Sequence, residues 1–337
     1  MKKIYLILSV FAIVFTACET DFDVNADWEE TTVVFGLLDA AKDTQFIKIS
    51  KAFLGEADAL QMAQNSDSIN FNKGELDVKI TRINNNGSTD AIMLNEVRTL
   101  RDEGYFNDSI VMYTFENFEF QSNSLNQYTN FLNSNSEYEL LIKNNITGNS
   151  VSSTTEIIKE FNFSEIPIST SDKLTFYIDN SGYWSPRFEW SSSYNPNAEI
   201  FQFNLKFHYK ENGVVKEILW TQPALEPEDN ITVLPLLGEV FFHQFLANNL
   251  DALEDDDERE FINIYVEMTL GTQDFKTFIA VNEPITGIVQ ERPQFTNVNN
   301  GIGLFSSRYT KVYGPFNLND DSKKYIVDVL GLPFINF

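Results

Sequence analysis

Cysteine and histidine are nearly absent from the chain, which has one cysteine and two histidines among 337 residues. A single cysteine excludes internal disulfide bonds, so packing alone must hold the fold. The two histidines, His208 and His243, belong to no metal-binding motif, and we expect no metal site and no cofactor. Catalytic motifs are missing too: there is no G-x-S-x-G turn, no phosphate-binding glycine loop and no cysteine nucleophile. The sequence therefore predicts a protein that is not an enzyme and has no catalytic residues.

Basic residues are scarce. The chain has 24 Lys and Arg against 49 Asp and Glu, which gives a net charge of −25. Binding to nucleic acid requires clustered Lys or Arg, so nucleic acid is excluded as a partner. Such an acidic body is also repelled by anionic lipid surfaces, so contact with a membrane must come from an anchor. Abundant carboxylates leave a carboxylate-dependent hydrolase open as a third hypothesis, because such pairs converge from distant positions.

Long hydrophobic runs are lacking as well. The longest apolar segment, Ile4–Phe15, covers about a dozen residues, whereas a membrane-spanning helix needs roughly 20. It follows Lys2 and Lys3 and precedes Thr16-Ala17-Cys18, the order found in a bacterial lipoprotein signal. We therefore predict a signal peptide over residues 1–17 and lipidation at Cys18, although Phe15 stands where a lipobox usually has Leu, Val or Ile. The anchor would hold the mature protein on a membrane.

Acidic residues follow the cysteine directly. Residues 18–30 contain Glu19, Asp21 and Asp23 and too few apolar side chains to bury themselves, so we expect a tether. The three acids resemble the export signal that directs Bacteroidota lipoproteins to the outer leaflet of the outer membrane. A plain solvated linker that faces the periplasm is the alternative.

An alternation of apolar and polar residues dominates the rest of the chain. The clearest example runs from Phe201 to Tyr209, followed by a turn at Asn212-Gly213 and a return strand to Trp220. Similar patterns predict hairpins around residues 76–94 and 138–156, and another antiparallel strand at Ile262–Met268.

These patterns predict an all-β protein with two antiparallel β-sandwich-like domains. We expect an N-terminal domain over residues 31–165 and a C-terminal β-rich domain over residues 166–337. Two helices should interrupt the strands, a short one at Glu56–Gln64 and a longer one near residues 235–253, where apolar residues form one stripe.

Two local features suggest binding sites. Tyr183 and Trp184, between Gly182 and Pro186, could stack on a sugar or on a partner's side chains, although paired aromatics beside a strand are also typical of the edge of a core. The acidic run Glu254–Glu258 could bind calcium through several carboxylates. It lacks the spacing and glycine of an EF-hand loop, and a solvated connector is the simpler interpretation.

A third candidate is the insertion between Phe53 and Phe71. It mixes apolar residues with acids, and loops on a rigid β-scaffold commonly carry recognition. Gln61, Gln64 and Asp67 should face solvent there and could contact a partner. Alternatively, the short helix only caps one open end of the first sandwich.

Several weak motifs in a fixed order resemble one family. They are the lipobox, the opening strand Val33–Leu38, the segment Phe53–Gln64 and the late Gly301-Ile302-Gly303-Leu304-Phe305-Ser306. Together they look like the Bacteroidota outer-membrane lipoproteins grouped as domain of unknown function 4249. The resemblance implies an immunoglobulin-like or transthyretin-like first half and a gene often found beside a TonB-dependent outer-membrane receptor. It supplies no catalytic residues.

The sequence as a whole predicts a surface-exposed outer-membrane lipoprotein. It would act as a binding or accessory subunit of a TonB-dependent transporter. A structural or adhesive surface lipoprotein without a transporter partner is the alternative. In the late glycine motif, Gly301 and Gly303 should permit a bulge or a close backbone approach, with Phe305 buried.

Overall fold

The computed structural model describes residues 31–52, 69–100, 109–121, 127–168, 172–228, 231–250, 258–282 and 294–335. Strands predominate over helices in this part of the chain, which confirms the predicted all-β, sandwich-like fold class. The predicted signal peptide, the tether and the short helix at Glu56–Gln64 lie outside the described residues.

Nineteen strands are found among the described residues. In chain order they are β1 (Thr31–Asp39), β2 (Thr44–Ala52), β3 (Leu76–Asn84), β4 (Thr89–Met93), β5 (Asn95–Leu100), β6 (Ser109–Glu116), β7 (Glu119–Gln121), β8 (Gln127–Thr129), β9 (Ser136–Asn144), β10 (Ser150–Glu156), β11 (Lys173–Leu174), β12 (Tyr177–Ile178), β13 (Gly182–Tyr183), β14 (Arg187–Ser191), β15 (Ile200–Glu211), β16 (Val214–Thr221), β17 (Ile231–Pro235), β18 (Arg259–Gly271) and β19 (Gly301–Leu318).

Three longer helical segments accompany the strands. The first, α1, begins as an α-helix at Gly238–Val240, continues as a π-helix over Phe241–Leu246 and ends as an α-helix at Ala247–Asn249. The others are α2 (Gln273–Asn282) and α3 (Asp320–Asp328), and a short 3-10 turn covers Ser192–Tyr194.

The largest sheet has nine strands. Eight follow the order β16-β15-β18-β19-β1-β2-β6-β5, and β11 pairs with the end of β19. A four-stranded sheet, β10-β9-β3-β4, faces the part of the large sheet near β1 and β2 across a shared hydrophobic core. The sheets form because apolar side chains alternate along each strand and bury one face.

The first and last strands of the large sheet pair in parallel, with Thr32 opposite Gly301 and Asp39 opposite Arg308. The backbones of the two strands come very close at Gly303, which only a residue without a Cβ permits. A Cβ at this position would lie 2.0 Å from the carbonyl oxygen of Val34. Gly303 also has a φ of +117°, which L side chains rarely adopt. Phe305 is fully buried. The predicted close backbone approach is therefore confirmed.

Two hydrophobic clusters fill the protein. One is built mainly from residues between Val34 and Ile157, joined by Val298 and Phe305, and the other from residues between Ile158 and Phe334. The large sheet runs through both clusters. The division of the chain into two domains at residue 165 stays a prediction. Strands from both sides of this residue belong to the nine-stranded sheet.

The predicted hairpins are confirmed as the pairs β15–β16, β3–β4 and β9–β10, and the strand at Ile262–Met268 lies within β18. The longer helix predicted near residues 235–253 corresponds to α1, which covers Gly238–Asn249. Helices α2 and α3 were not predicted. In α2 no residue is fully buried.

Candidate functional site

Most of the residues predicted to carry function lie outside the described residues. These are Cys18, Glu19, Asp21, Asp23, Gln61, Gln64 and Asp67. Of the acidic run at residues 254–258, only Glu258 is described, and its backbone N–H donates to Asn212 Oδ1 at 3.0 Å. Tyr183 and Trp184 are described, and both are exposed, by 42% and 53%.

A tight hairpin presents the two aromatic residues. Strands β12 and β13 pair antiparallel around a turn in which Asn180 and Gly182 both have positive φ, a conformation that Asn and Gly tolerate best. Beyond the turn, the N–H of Trp184 donates to the carbonyl oxygen of Phe176 at 2.8 Å. The hairpin therefore holds Tyr183 and Trp184 at the surface of the second hydrophobic cluster.

Three polar side-chain atoms meet at Tyr183. Its hydroxyl oxygen lies 2.8 Å from His243 Nε2 and 2.7 Å from the hydroxyl oxygen of Tyr325. His243 Nε2 lies 3.2 Å from the same Tyr325 oxygen, so the three atoms form a nearly equilateral triangle. We call these residues the Tyr-His-Tyr cluster. Tyr183 and His243 reach solvent, whereas Tyr325 is buried.

Helix α1 positions His243. Its start is pressed against the hairpin, because a Cβ at Gly238 would lie only 2.4 Å from the carbonyl oxygens of Phe176 and Trp184. Phe241 then stacks on Phe176 with ring centroids 3.8 Å apart. His243 lies in the π-helical segment, and π-helical turns are rare and frequently found at functional sites.

Helix α3 positions Tyr325 and also fixes the hairpin. The Ser322 hydroxyl oxygen accepts hydrogen bonds from the N–H groups of Phe176 and Tyr177, each at 3.0 Å. Asn319 donates to the carbonyl oxygen of Tyr177 at 2.9 Å. The Tyr177 ring also packs on the Tyr325 ring at 4.5 Å between centroids. Three separate elements therefore converge on the cluster and support it with buried contacts.

The environment of Tyr325 disfavours ionisation of its hydroxyl. Burial raises the pKa of the Tyr325 hydroxyl, and its hydrogen bond with Tyr183 and the negative charge of Glu239 raise that pKa further. Polar contacts also join the hairpin to α3. Asp321 accepts a hydrogen bond from the backbone N–H of Asp179, and Lys324 lies 3.6 Å from the Asp179 carboxylate.

Sequence reasoning identified Tyr183 and missed its two partners. His243 and Tyr325 lie 60 and 142 residues away from Tyr183, and no motif links them. In the part of the chain that the structure describes, no three His, Cys, Asp or Glu residues lie close enough to hold a metal ion. The Tyr-His-Tyr cluster has only one residue of those types.

A second surface lies at the end of the large sheet where the chain enters the fold. Thr31, the first residue of β1, pairs with Ala52, the last residue of β2. An apolar cleft of about 410 Å³ opens beside β1, and Val33, Phe35, Phe278, Val281 and Ile302 are among its lining residues. Among the described residues no charged side chain lines it, and Phe35 remains 44% exposed although it packs edge-on against Phe278.

Comparison of the chain with protein-family models finds no match, and comparison with curated proteins finds none either. Within the described ranges, no helix combines the length and the apolar character needed to cross a membrane.

Proposed function

We propose that the protein is a surface-exposed lipoprotein of the outer membrane and serves as a binding or accessory subunit of a TonB-dependent transporter. The position of Cys18 supports the anchor: it follows a signal-like segment and precedes an acidic stretch. The resemblance to domain of unknown function 4249 supports the class of partner, because members of that family are often encoded beside TonB-dependent receptors.

The geometry at the start of β1 is the observation that carries the proposal. Twelve residues, Glu19–Glu30, separate the cysteine from Thr31, and fully extended they span at most about 40 Å. Thr31 lies opposite Ala52, the residue that precedes the Phe53–Phe71 insertion. The tether and the insertion with Gln61, Gln64 and Asp67 therefore join the sheet at the same end, and we propose that this end lies towards the membrane.

The apolar surface at this end favours a protein partner. Phe35 and Ile302 are exposed large apolar residues that line the cleft beside β1. In a chain with 22% charged residues, a surface cleft whose described lining is mainly apolar and contains no charge is typical of an interaction site. An extracellular loop of a membrane-embedded receptor is the partner within reach of a short tether.

A pull-down from mild detergent tests the partner. The full chain, tagged at its C-terminus, should recover an outer-membrane barrel receptor in a roughly stoichiometric amount, and deletion of the gene should reduce uptake of a nutrient. Recovery of the bait alone with unchanged uptake would contradict the proposal. That result would favour the structural or adhesive alternative.

Charge-changing variants test the surface. Replacing Gln61, Gln64 and Asp67 by Arg should abolish recovery of the receptor while the protein folds normally. The matched control replaces Asp43, Thr89 and Asn135 by Arg, which makes the same change in net charge. These three residues are exposed, and their strands place them at the opposite end of the sheets. Loss of the receptor in both variants, or in neither, would exclude the insertion as the contact.

A further inference from the structure

We propose that the Tyr-His-Tyr cluster binds ferric iron through the hydroxyl oxygens of Tyr183 and Tyr325 and Nε2 of His243. This binding site goes beyond the proposed function and needs no transporter. It can therefore be tested on the purified chain, and its failure would leave the anchoring and the partner untouched.

The spacing of the three donor atoms carries the argument. Neighbouring ligands of an octahedral ion with bonds of 2.0–2.1 Å lie about 2.9 Å apart. The three distances in the cluster are 2.7, 2.8 and 3.2 Å. One ion above this triangle would therefore meet all three donors on one face of an octahedron. Because Tyr183 and His243 reach solvent, its other three positions would face water or a small anionic chelator.

The types of donor select the metal. Two phenolic oxygens and one imidazole nitrogen favour a hard ion that accepts nitrogen, and no thiol is present to favour a soft ion. Phenols lose a proton near pH 10 in water, so at neutral pH only a strongly Lewis-acidic ion displaces that proton. Ferric iron meets both requirements, and tyrosine is known as a ligand of haem iron in catalase.

The binding step balances in charge and protons. Each tyrosine hydroxyl releases its proton to water and forms an oxygen–iron bond, while the His243 imidazole donates the lone pair of Nε2. Two protons leave for each ferric ion, and the oxidation state of iron does not change. The negative charge of Glu239 acts on the Tyr325 hydroxyl, and a negative charge there favours a cation.

Supporting contacts hold the donors in place before a ligand arrives. Ser322 and Asn319 fix the hairpin to α3, and Gly238 lets α1 approach the same hairpin. Residues outside the ligand set that fix its orientation typically contribute 10–100-fold to metal affinity. A cluster built from three elements and locked in this way is suited to binding a metal.

Titration of the purified full-length lipoprotein in mild detergent with ferric nitrilotriacetate tests the proposal. We expect one iron per chain, a visible phenolate-to-iron charge-transfer absorption and a high-spin ferric signal in electron paramagnetic resonance. Tyr183→Phe and Tyr325→Phe should each weaken binding by roughly 100-fold or more and reduce the colour. His243→Gln should weaken binding while keeping the phenolate absorption.

The control is Tyr194→Phe, which changes a tyrosine that is 68% exposed and remote from the cluster contacts. It should bind iron and develop colour like the wild type. Tyr183 lies at the surface, so Tyr183→Phe removes one donor without disturbing the core, and circular dichroism verifies the fold of each variant. Absence of the absorption in the wild type, or its persistence in both tyrosine variants, would overturn the proposal.

Discussion

At the residue scale, side chains that alternate along one strand are predictable from sequence, whereas side chains that meet from distant segments are not. The buried positions of β15 follow directly from the alternation between Phe201 and Tyr209. The position of Tyr183 between Gly182 and Trp184 was enough to predict a possible binding site from the sequence. His243 and Tyr325 could not be found, because only the docking of α1 and α3 on the hairpin brings them to it.

A buried ion pair also depends on the fold. The Arg259 side chain is 2% exposed, and its Nη2 donates to Glu211 Oε2 at 2.5 Å while Nε donates to the same oxygen at 3.0 Å. Glu211 also accepts a hydrogen bond from Lys216. These hydrogen bonds, first that of Lys216 and then those of Arg259, hold the pKa of the Glu211 carboxyl below its usual value.

Glu211→Gln should therefore lower the free energy of unfolding by roughly 3 kcal/mol at pH 7, because it removes the charge that compensates a buried guanidinium. A carboxyl with a lowered folded pKa stabilises the protein above its unfolded pKa and loses that effect as pH falls through the folded value. The difference between wild type and variant should thus shrink below about pH 4.5. Urea unfolding at several pH values measures it, and a difference independent of pH would contradict this assignment.

At the element scale, local hairpins were predicted and the long-range pairing was not. The turns at Asn84–Gly87, Thr147–Asn149 and Asn212-Gly213 carry the residues that a tight turn needs, so the sequence alone reveals the strands that flank them. The parallel pairing of β1 with β19 joins segments about 270 residues apart. In the sequence, only Gly301 and Gly303 indicated that another backbone comes close to β19. Helix α2 was not predicted from the sequence. It is a short helix on the sheet, and all of its apolar residues remain partly exposed.

Gly303→Ala tests the junction of β1 and β19. The added Cβ would clash with the carbonyl oxygen of Val34, and the φ of +117° would be strained, so we expect a loss of about 3 kcal/mol or more in the free energy of unfolding. Gly213→Ala is the matched control. Gly213 also has a positive φ, but a Cβ there would meet nothing within 4 Å, so only about 1 kcal/mol should be lost. Equal losses in thermal or urea unfolding would mean that strain alone, and not the close strand pairing, requires Gly303.

At the scale of the whole molecule, the two surfaces to which we assign proposed functions lie at opposite ends of the large sheet. The end where β1 begins receives the tether and the insertion, and the other end carries the Tyr-His-Tyr cluster beside the last residues of β19 and α3. In the proposed arrangement, the surface for a transporter would lie at the end that carries the tether, and the proposed metal site would lie at the opposite end. Composition alone predicts that nucleic acid is not a partner, but it does not reveal this arrangement.

Cys18→Ala should separate the body from the membrane. The change removes the lipid attachment point and the cleavage site together, so the protein should appear in the soluble fraction or remain as an unprocessed precursor. Cell fractionation with detection of the C-terminal tag measures the outcome. Normal processing with unchanged membrane retention would show that another feature anchors the chain.

Protease treatment of intact cells tests most directly the central claim that the body is displayed at the cell surface on a lipid anchor. External protease should digest the wild-type protein. The variant with Glu19, Asp21 and Asp23 replaced by Ala should stay lipidated but protected, because it lacks the acids that resemble an export signal. Equal protection of both proteins, with a periplasmic control protein intact and the sample digested once the cells are lysed, would contradict the account.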